Sequence, residues 1–294
     1  MKLAVLYAGQ GAQHPGMGKE FYEASPAFRA AFDSAVLDFD LHRVCFEDPD
    51  GVLGQTQYTQ PCMVAFACGV TAVLAEKGVQ PAYTAGLSLG EYSALEAAGV
   101  FTAKQAIELA AYRGKAMADA ANGIACGMTA VLNLDRETLA QCCEQASALG
   151  CVQICNYNCP GQLVISGSIP GIDAACEKML AAGAKRALKL KVGGAFHSPL
   201  MEPARAELAA AIEATPIHKP SCPVYQNVST KGETDPETIK ANLIAQLTAP
   251  VRWTQSVQNM IADGADHFIE LGPGAVLQGL VKKINKEMTT EGMQ

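Results

Sequence analysis

The chain has 294 residues, is 49% hydrophobic and 17% charged, and carries a net charge of −7 at pH 7. This length and composition suffice to bury a large core, and they fit one large domain or one domain that carries a smaller one. The sequence has no basic run of the kind that follows a phosphate backbone, which argues against a nucleic-acid partner. No apolar run approaches the roughly 20 residues needed to span a bilayer, so we expect no membrane partner either.

The eleven cysteines do not indicate a disulfide framework. Their number is odd, and residues 1–11 run from a short apolar stretch straight into a Gly-rich turn without a signal-peptide cleavage site. We therefore expect the cysteines to be small apolar residues of a protein in the reducing cytoplasm. The spacing of Cys151, Cys155 and Cys159 is a weak zinc pattern because no matching His or Cys pair follows, and we predict no metal site.

Strands and helices alternate in the first part of the chain. Residues 2–7 are typical of a buried strand, and they lead into a Gly-rich loop over residues 9–13. The next predicted elements are a helix over 60–77, a short buried strand over 82–87, a helix from near Gly90, and a helix from Thr102, which forms a capping box with Gln105. This alternation predicts a mostly parallel sheet covered on both faces.

The pattern changes after about residue 123. The predicted elements are a strand over 127–134, a helix over 136–149 with Asp135 as N-cap, strands over 151–157 and 162–167, a helix over 171–183 and a strand over 186–192. This β-α-β-β-α-β order over about 70 residues is the split βαβ, ferredoxin-like plan.

An α/β pattern then returns to the end of the chain. The predicted elements are helices over 200–214 and 236–247, a strand over 266–271 and a final helix after Gly272-Pro273-Gly274, with frayed residues from about Thr289. We therefore predict an α/β-hydrolase-like catalytic domain with a mostly parallel sheet, formed by residues 1–123 and 193–294. A small ferredoxin-like α+β domain of residues 124–192 is expected to be inserted in it.

Gly86-Leu87-Ser88-Leu89-Gly90 is the sharpest chemical signal in the sequence. A serine hydroxyl is a poor nucleophile, so it must be exposed and held beside a base. A sharp strand-to-helix turn achieves this, and its flanking glycines leave room for the neighbouring strand and helix. A GxSxG pattern also arises by chance in Gly-rich proteins, but here an apolar strand precedes it and a helix-compatible segment follows. The context favours a nucleophile elbow at Ser88.

Two of the five histidines are candidates for the base. His267 fits the Ser…Asp/Glu…His order of α/β-hydrolases, but it lies inside an apparently buried strand. His197 follows the Gly-rich stretch 193–195, on a loop between the last strand of the small domain and the next helix. A histidine there can reach a site between two domains, although a lone histidine is more often structural than catalytic.

Six motifs in order resemble the malonyl-CoA:acyl carrier protein transacylase family of fatty acid synthesis, and also the acyltransferase domains of polyketide synthases. The resemblance extends over essentially the whole chain. The motifs are Gly9-Gln10-Gly11-Ala12-Gln13, Gly86-Leu87-Ser88-Leu89-Gly90-Glu91, Arg113-Gly114-Lys115-Ala116-Met117, Asn158-Cys159-Pro160-Gly161-Gln162, Phe196-His197-Ser198-Pro199 and Gly272-Pro273-Gly274.

The resemblance implies a catalytic dyad without a cofactor. Ser88 would be the acylated nucleophile, and His197 would take its proton and return it to the leaving thiol. In the family a backbone carbonyl, not a carboxylate, orients the histidine. The backbone N–H groups of Gln10 and Leu89 would form the oxyanion hole. One departure is Leu87, at a position where the family often has a histidine that is not the base.

The resemblance also implies a malonyl substrate. Without it, Arg113 would be read as an ordinary solvated residue on a helix; with it, Arg113 pairs with the free carboxylate of malonyl, for which a guanidinium is a planar, bidentate partner. Phe196 resembles the aromatic residue of malonyl-specific members, which leaves little room for an added methyl group. Met117 would be a pocket wall, and Gln246 the family glutamine near the active site.

The implied partners are malonyl-CoA and an acyl carrier protein, and the family is mostly monomeric. The alternatives are a discrete acyltransferase of polyketide synthesis and a serine hydrolase such as a thioesterase, which shares the elbow but passes the acyl group to water. A further alternative is a non-enzymatic docking module of a larger synthase. That last reading leaves the glycines around Ser88 and His197 without a purpose.

Overall fold

The structure is a computed structural model that describes residues 2–294. Within these residues the strands are β1 (Leu3–Tyr7), β2 (Tyr83–Gly86), β3 (Cys126–Leu132), β4 (Val152–Cys159), β5 (Gln162–Ser168), β6 (Arg186–Lys189), β7 (Val224–Tyr225), β8 (Gly232–Glu233), β9 (His267–Leu271) and β10 (Thr289–Met293). The α-helices are α1 (Lys19–Ala24), α2 (Pro26–Phe32), α3 (Thr56–Glu76), α4 (Gly90–Ala97), α5 (Ala103–Ala121), α6 (Arg136–Ala146), α7 (Ile169–Ala181), α8 (Glu202–Ala214), α9 (Pro236–Ala245), α10 (Trp253–Ala262) and α11 (Val276–Ile284).

The larger of two sheets has six strands in the order β10-β9-β1-β2-β7-β8. All neighbouring strands run parallel except β7 and β8, which form an antiparallel pair. Every residue of β1 and β2 is buried, as expected for central strands covered by helices on both faces. The predicted mixed α/β fold with a mostly parallel sheet is confirmed.

The C-terminal strand corrects one prediction. The chain was expected to fray from Thr289, but Thr289–Met293 pairs in parallel with β9 along its whole length. The strand is polar and mostly exposed, because it forms the edge of the sheet. The strand is stabilised by backbone hydrogen bonds to β9, and the hydrophobicity of its side chains therefore does not predict it.

The smaller sheet has four antiparallel strands in the order β4-β5-β3-β6, and α6 and α7 cover one face. The predicted strand and helix order of this segment is confirmed, with α6 and β6 three residues shorter than predicted. Its core is separate from that of the larger sheet and includes Leu139, Ile165, Ile172 and Met179.

One helix contradicts the expectation that no apolar run is long enough to span a bilayer. The 21 residues of α3 suffice by length and composition, but 78% of the qualifying window is buried inside the protein. Helix α3 packs against α2, α4 and α5, so its apolar character serves the core. The helix begins at Thr56, four residues before the predicted start at residue 60, because its polar first turn interrupts the apolar pattern.

The short elements were not predicted. Helices α1 and α2 are six and seven residues long, a π-helical turn spans Arg43–Glu47, and β7 and β8 have two residues each. Such segments are too short for a periodic pattern. One start signal was present: Ser25 before Pro26 caps α2, and its Oγ accepts a hydrogen bond from the Phe28 N–H at 3.1 Å. The ten-residue helix α10 was also missed.

Candidate active site

The predicted strand–turn–helix around Ser88 is present. Strand β2 ends at Gly86, helix α4 begins at Gly90, and Ser88 lies between them with a left-handed φ of 53°. A Cβ on Gly86 would lie 1.9 Å from the Gly90 carbonyl carbon, and one on Gly90 would lie 2.1 Å from the Tyr7 carbonyl oxygen. Only glycine fits at either position, so the two glycines permit the sharp turn that presents the serine.

His197 lies within hydrogen-bonding distance of this serine. The distance from Ser88 Oγ to His197 Nε2 is 2.7 Å, although the residues are 109 positions apart in sequence. The histidine is 2% exposed and also has a left-handed φ, at 56°. The loop before Pro199 thus brings a buried imidazole to the nucleophile elbow, the geometry that an activated serine requires.

A backbone carbonyl fixes the orientation of His197. Its Nδ1 lies 2.8 Å from the carbonyl oxygen of Gln246, to which it donates a hydrogen bond. This tautomer leaves Nε2 free to accept the Ser88 proton. Burial, and then the charge of Arg113, lowers the pKa of His197 to about 4, with the hydrogen bond to Gln246 acting in the opposite direction. The imidazole is therefore neutral, and able to act as a base, at pH 7.

Arg113 reaches the same serine from α5. The residue is 1% exposed, and its Nη2 lies 3.1 Å from Ser88 Oγ and 3.0 Å from Gln246 Oε1. Its Nη1 donates to Gln60 Oε1 at 2.9 Å, while Nε has no hydrogen-bond partner within residues 2–294. No carboxylate forms an ion pair with it among the described residues. A buried, unpaired guanidinium beside the nucleophile can bind an anionic group of a substrate.

Gln10 and Leu89 line the same cleft as Ser88. Neither backbone N–H donates to a protein acceptor anywhere in residues 2–294. Leu89 immediately precedes α4, whose N-terminus favours negative charge. Two free donors beside Ser88 are the arrangement that stabilises a tetrahedral oxyanion.

These residues line one cleft of about 420 Å³ between the two sheets. Met117 and Phe196, both predicted, form apolar parts of its wall. The structure therefore brings all eight predicted site residues together, with Gln246 joined by its hydrogen bonds to Arg113 and His197. His267 is not among them, since its Nε2 pairs with Glu291 of β10 at 2.7 Å. A cavity of about 450 Å³ on the outer side of α5 contains none of the predicted residues.

Comparison with known proteins gives the family of this site. Residues 5–293 match the family model described as "Acyl transferase domain". The chain belongs to the acyl transferase family. It is 43% identical over 292 residues to a malonyl CoA-acyl carrier protein transacylase of Bacillus subtilis, covering 98% of this chain and 92% of that one. A Staphylococcus aureus protein of the same name is 40% identical, covering 100% of this chain and 96% of that one.

Solved acyl transferase structures have the same fold. An acyl carrier protein S-malonyltransferase from Vibrio cholerae superimposes with a TM-score of 0.96 at 40% identity, covering 100% of this chain and 97% of the other. A type II polyketide acyl carrier protein in complex with its malonyl-transacylase gives 0.94 at 38% identity, covering 99% and 95%. The likeness extends over the whole described chain of this acyl transferase, both sheets included.

Three polar residues of the acyl transferase site were not singled out from the sequence. Gln60 is fully buried and binds Arg113, but it directly follows the polar first turn of α3, so its polarity did not stand out in the sequence. Glu91 is also fully buried and directly follows the elbow motif. Asn227 contacts the elbow from 139 residues away, and nothing in its local sequence marks it.

Proposed function

We propose that this acyl transferase moves the malonyl group of malonyl-CoA to the phosphopantetheine thiol of an acyl carrier protein in fatty acid synthesis. The observation that carries the proposal is which groups lie next to the hydroxyl oxygen of Ser88. Ser88 Oγ lies 2.7 Å from the His197 base and 3.1 Å from the buried cation of Arg113. A nucleophile beside both a base and an anion-binding group suits an acyl donor with a free carboxylate.

The first half-reaction acylates the serine. Ser88 Oγ attacks the thioester carbonyl carbon as its proton passes to His197 Nε2. The oxyanion of the tetrahedral intermediate accepts hydrogen bonds from the backbone N–H groups of Gln10 and Leu89. When the carbon–sulfur bond breaks, His197 returns the proton to the departing thiolate. The products are a malonyl ester on Ser88 and free coenzyme A.

The second half-reaction reverses the proton transfers. The carrier thiol loses its proton to His197 Nε2, and the sulfur attacks the ester carbonyl carbon. Collapse of the intermediate breaks the bond to Ser88 Oγ, which recovers the proton from His197. The Gln246 carbonyl holds the imidazole in one tautomer through both halves, since its distance to Nδ1 is 2.8 Å.

Arg113 would select the malonyl group. Its guanidinium group can bind the terminal carboxylate through two parallel hydrogen bonds. The Gln60 and Gln246 side chains hold this guanidinium in place. An acetyl group would leave this charge unpaired in a buried site, which is costly. Phe196 beside the base would disfavour a methyl branch on the acyl chain.

The proposal includes the finer description of the fold. Residues 1–123 and 193–294 would form an α/β-hydrolase-like domain, which the elbow after a parallel strand supports. Residues 124–192 would form an inserted ferredoxin-like domain, supported by the antiparallel strand order β4-β5-β3-β6 with two helices on one face. We propose a cytoplasmic monomer that needs no metal or cofactor.

A polyketide carrier is the second candidate acceptor. The observation in its favour is the likeness to the malonyl-transacylase solved in complex with a type II polyketide acyl carrier protein. The chemistry at Ser88 would be the same, and only the carrier would differ. Parallel transfer assays with carriers of the two kinds would choose between them.

Intact-mass measurement after mixing with malonyl-CoA tests the proposed function. The wild type should gain one malonyl group, Ser88→Ala should gain none, and addition of carrier protein should remove the group while the carrier gains it. Ser147→Ala, at an exposed position just after α6, is a matched control that should react like the wild type. Continuous release of coenzyme A without a carrier would indicate a hydrolase instead.

A further inference from the structure

A second segment of the chain holds the backbone of the nucleophile elbow. The side chain of Asn227 accepts a hydrogen bond from the Ser88 N–H at Oδ1, over 2.7 Å, and donates one from Nδ2 to the Gly86 carbonyl, also over 2.7 Å. The residue is fully buried. One amide group thus binds the backbone on both sides of Leu87, at the point where the strand turns towards the helix.

The sheet explains why a side chain is needed there. Strands β2 and β7 pair in parallel through Ala85 and Tyr225, and the pairing ends there. On the other side of β2 the pairing continues, since Tyr7 of β1 pairs with Gly86 and accepts from the Leu87 N–H at 3.1 Å, but no register with β7 includes Gly86 or Ser88. The Asn227 amide supplies the donor and the acceptor that a continuing strand would have offered.

Asn227 is itself fixed by a buried carboxylate. Its backbone N–H donates to Glu91 Oε2 at 2.7 Å, and Gln226 Nε2 donates to Glu91 Oε1 at 3.1 Å. Glu91 lies in the first turn of α4, three residues after the nucleophile, and is fully buried. The hydrogen bonds form a closed ring that ties the start of α4 to the segment after β7, with the elbow in between.

The backbone of Ser88 is strained, so hydrogen bonds that hold it in place are needed. Ser88 has a φ of 53°, which a residue with a side chain adopts only at a cost of about 1 kcal/mol or more. Such a conformation persists only where the surroundings over-determine it. Gln246 adds one bond, from Nε2 to the Ser88 carbonyl at 2.9 Å, but the bonds to Ser88 N–H and Gly86 O come from Asn227 alone.

We propose that Asn227 is a positioning residue for the nucleophile, and that Glu91 acts through it by holding its backbone. This inference rests on the proposed function, since it assigns Ser88 the role of the acylated residue. Asn227 would set the direction of Ser88 Oγ and of the adjacent Leu89 N–H, without touching the substrate. Its loss should slow acylation and leave binding of the acyl donor unchanged.

The first test compares Asn227→Ala with Asn259→Ala. Asn259 also binds a backbone carbonyl, that of Thr230 at 2.8 Å, but makes no contact with the elbow, so it controls for loss of a partly buried, hydrogen-bonded amide. Asn227→Ala should lower kcat for malonyl transfer about 10- to 100-fold, the range expected when a reacting atom is misplaced, with KM for malonyl-CoA within about twofold of wild type. Asn259→Ala should change neither constant.

A fluorophosphonate probe gives a readout that does not depend on the malonyl group. Its rate of reaction with Ser88 should fall in Asn227→Ala by about the same factor as kcat, because both need a correctly directed Oγ. A wild type that the probe fails to label at Ser88 would overturn the proposed function itself. A wild type that is labelled, together with an Asn227→Ala variant labelled equally fast, would overturn only the inference about Asn227.

Glu91→Gln tests whether Glu91 holds the backbone of Asn227. This variant also tests the role of Asn227 if Asn227→Ala does not fold. The variant is nearly isosteric, but its amide nitrogen cannot accept a hydrogen bond, so one of the two bonds to Glu91 is lost. We expect a drop in kcat and labelling rate of about 3- to 10-fold at unchanged KM, and a double variant no slower than Asn227→Ala. A wild-type labelling rate in Glu91→Gln, or losses that multiply in the double variant, would contradict the assignment.

Discussion

At the residue scale, the pKa of His197, the proposed base, is lowered in part by Arg113, the group that would recognise the substrate. Burial and the charge of Arg113 lower the pKa of His197 to about 4. A lowered pKa favours the neutral imidazole, which is the form that accepts a proton. Protonation from solvent inactivates the base, so activity should be complete well above this pKa and should be lost as the pH falls through it.

The pH profile of acylation follows from this shift. We expect kcat/KM for malonyl-CoA to fall at acid pH with a midpoint near the His197 pKa of about 4. In Arg113→Ala the midpoint should move upward, because a positive charge near the imidazole is removed. Return to pH 7 after each acid exposure, with full recovery, separates this titration from acid unfolding. A wild-type midpoint near 6.5, the ordinary value for histidine, would contradict the assignment.

Substrate choice should depend on the guanidinium of Arg113. Arg113→Ala should lower kcat/KM for malonyl-CoA by about 100-fold or more, and it should raise the rate with acetyl-CoA relative to wild type. Arg113→Lys is the control that keeps the charge but loses the fork, and it should retain part of the malonyl activity. Both acyl donors are compared on each variant by intact mass. An unchanged preference for malonyl in Arg113→Ala would remove this residue from the recognition of substrate.

The site residues differ in how far the sequence could predict them. Ser88 was found from its own surroundings, because the elbow is a local device whose glycines and flanking elements are contiguous. Arg113 on spacing alone was an ordinary helix residue, and only the resemblance to a family gave it a role. Asn227 could not be found either way, since its contact with Ser88 spans 139 residues and depends on how β7 pairs with β2.

At the scale of elements, the elbow depends on the absence of two side chains. Gly90→Ala would place a Cβ 2.1 Å from the Tyr7 carbonyl oxygen, which belongs to the neighbouring strand β1 and cannot move without breaking the sheet. We expect this change to lower the free energy of unfolding by about 3 kcal/mol, at the upper end of overpacking costs, and to abolish acylation.

The matched control is Gly279→Ala in the interior of α11. Apart from the adjacent residues and the helix's own backbone, no atom lies within 4 Å of the Cβ that this change would add. Alanine in a helix interior is more favourable than glycine by about 0.5–1 kcal/mol, so this variant should be as stable as wild type or more so. Urea unfolding of both variants gives the two values. Equal stability of Gly90→Ala and wild type would contradict this prediction, because it would show that the backbone at the elbow can move enough to accommodate the added Cβ.

Elements were predictable to the extent that their own side chains specify them. Long α3 and α5, the buried β1 and β9, and the capping box at Thr102 all carry local signals. Strand β10 carries none: its residues TTEGM are polar, and it exists because β9 offers a free edge 22 residues earlier in sequence. The two-residue strands β7 and β8 are likewise set by their partners. Pairing between distant segments is what a periodic pattern does not encode.

At the scale of the whole molecule, strand β4 of the smaller sheet pairs with Val251, in the segment between α9 and α10. The Val251 N–H donates to the Cys155 carbonyl at 2.8 Å, and the Tyr157 N–H donates to the Val251 carbonyl at 2.9 Å. Gln153, on the same strand β4, donates from Nε2 to the His197 carbonyl at 2.9 Å. The smaller sheet therefore helps to hold the segment that carries His197, the proposed base, and residues of both sheets line the cleft.

This coupling predicts that the molecule unfolds as one unit. Scanning calorimetry should give a single transition whose calorimetric and van't Hoff enthalpies agree. Gln153→Ala should lower the free energy of unfolding by about 1 kcal/mol, the net value of one hydrogen bond, and slow acylation, because the carbonyl of His197 loses its partner. Gln141→Ala, on an exposed position of α6, is the control and should stay within about 0.5 kcal/mol of wild type. Two separate transitions, with Ser88 still reactive after the first, would show that the smaller sheet folds apart from the site and that its hydrogen bond to His197 is dispensable.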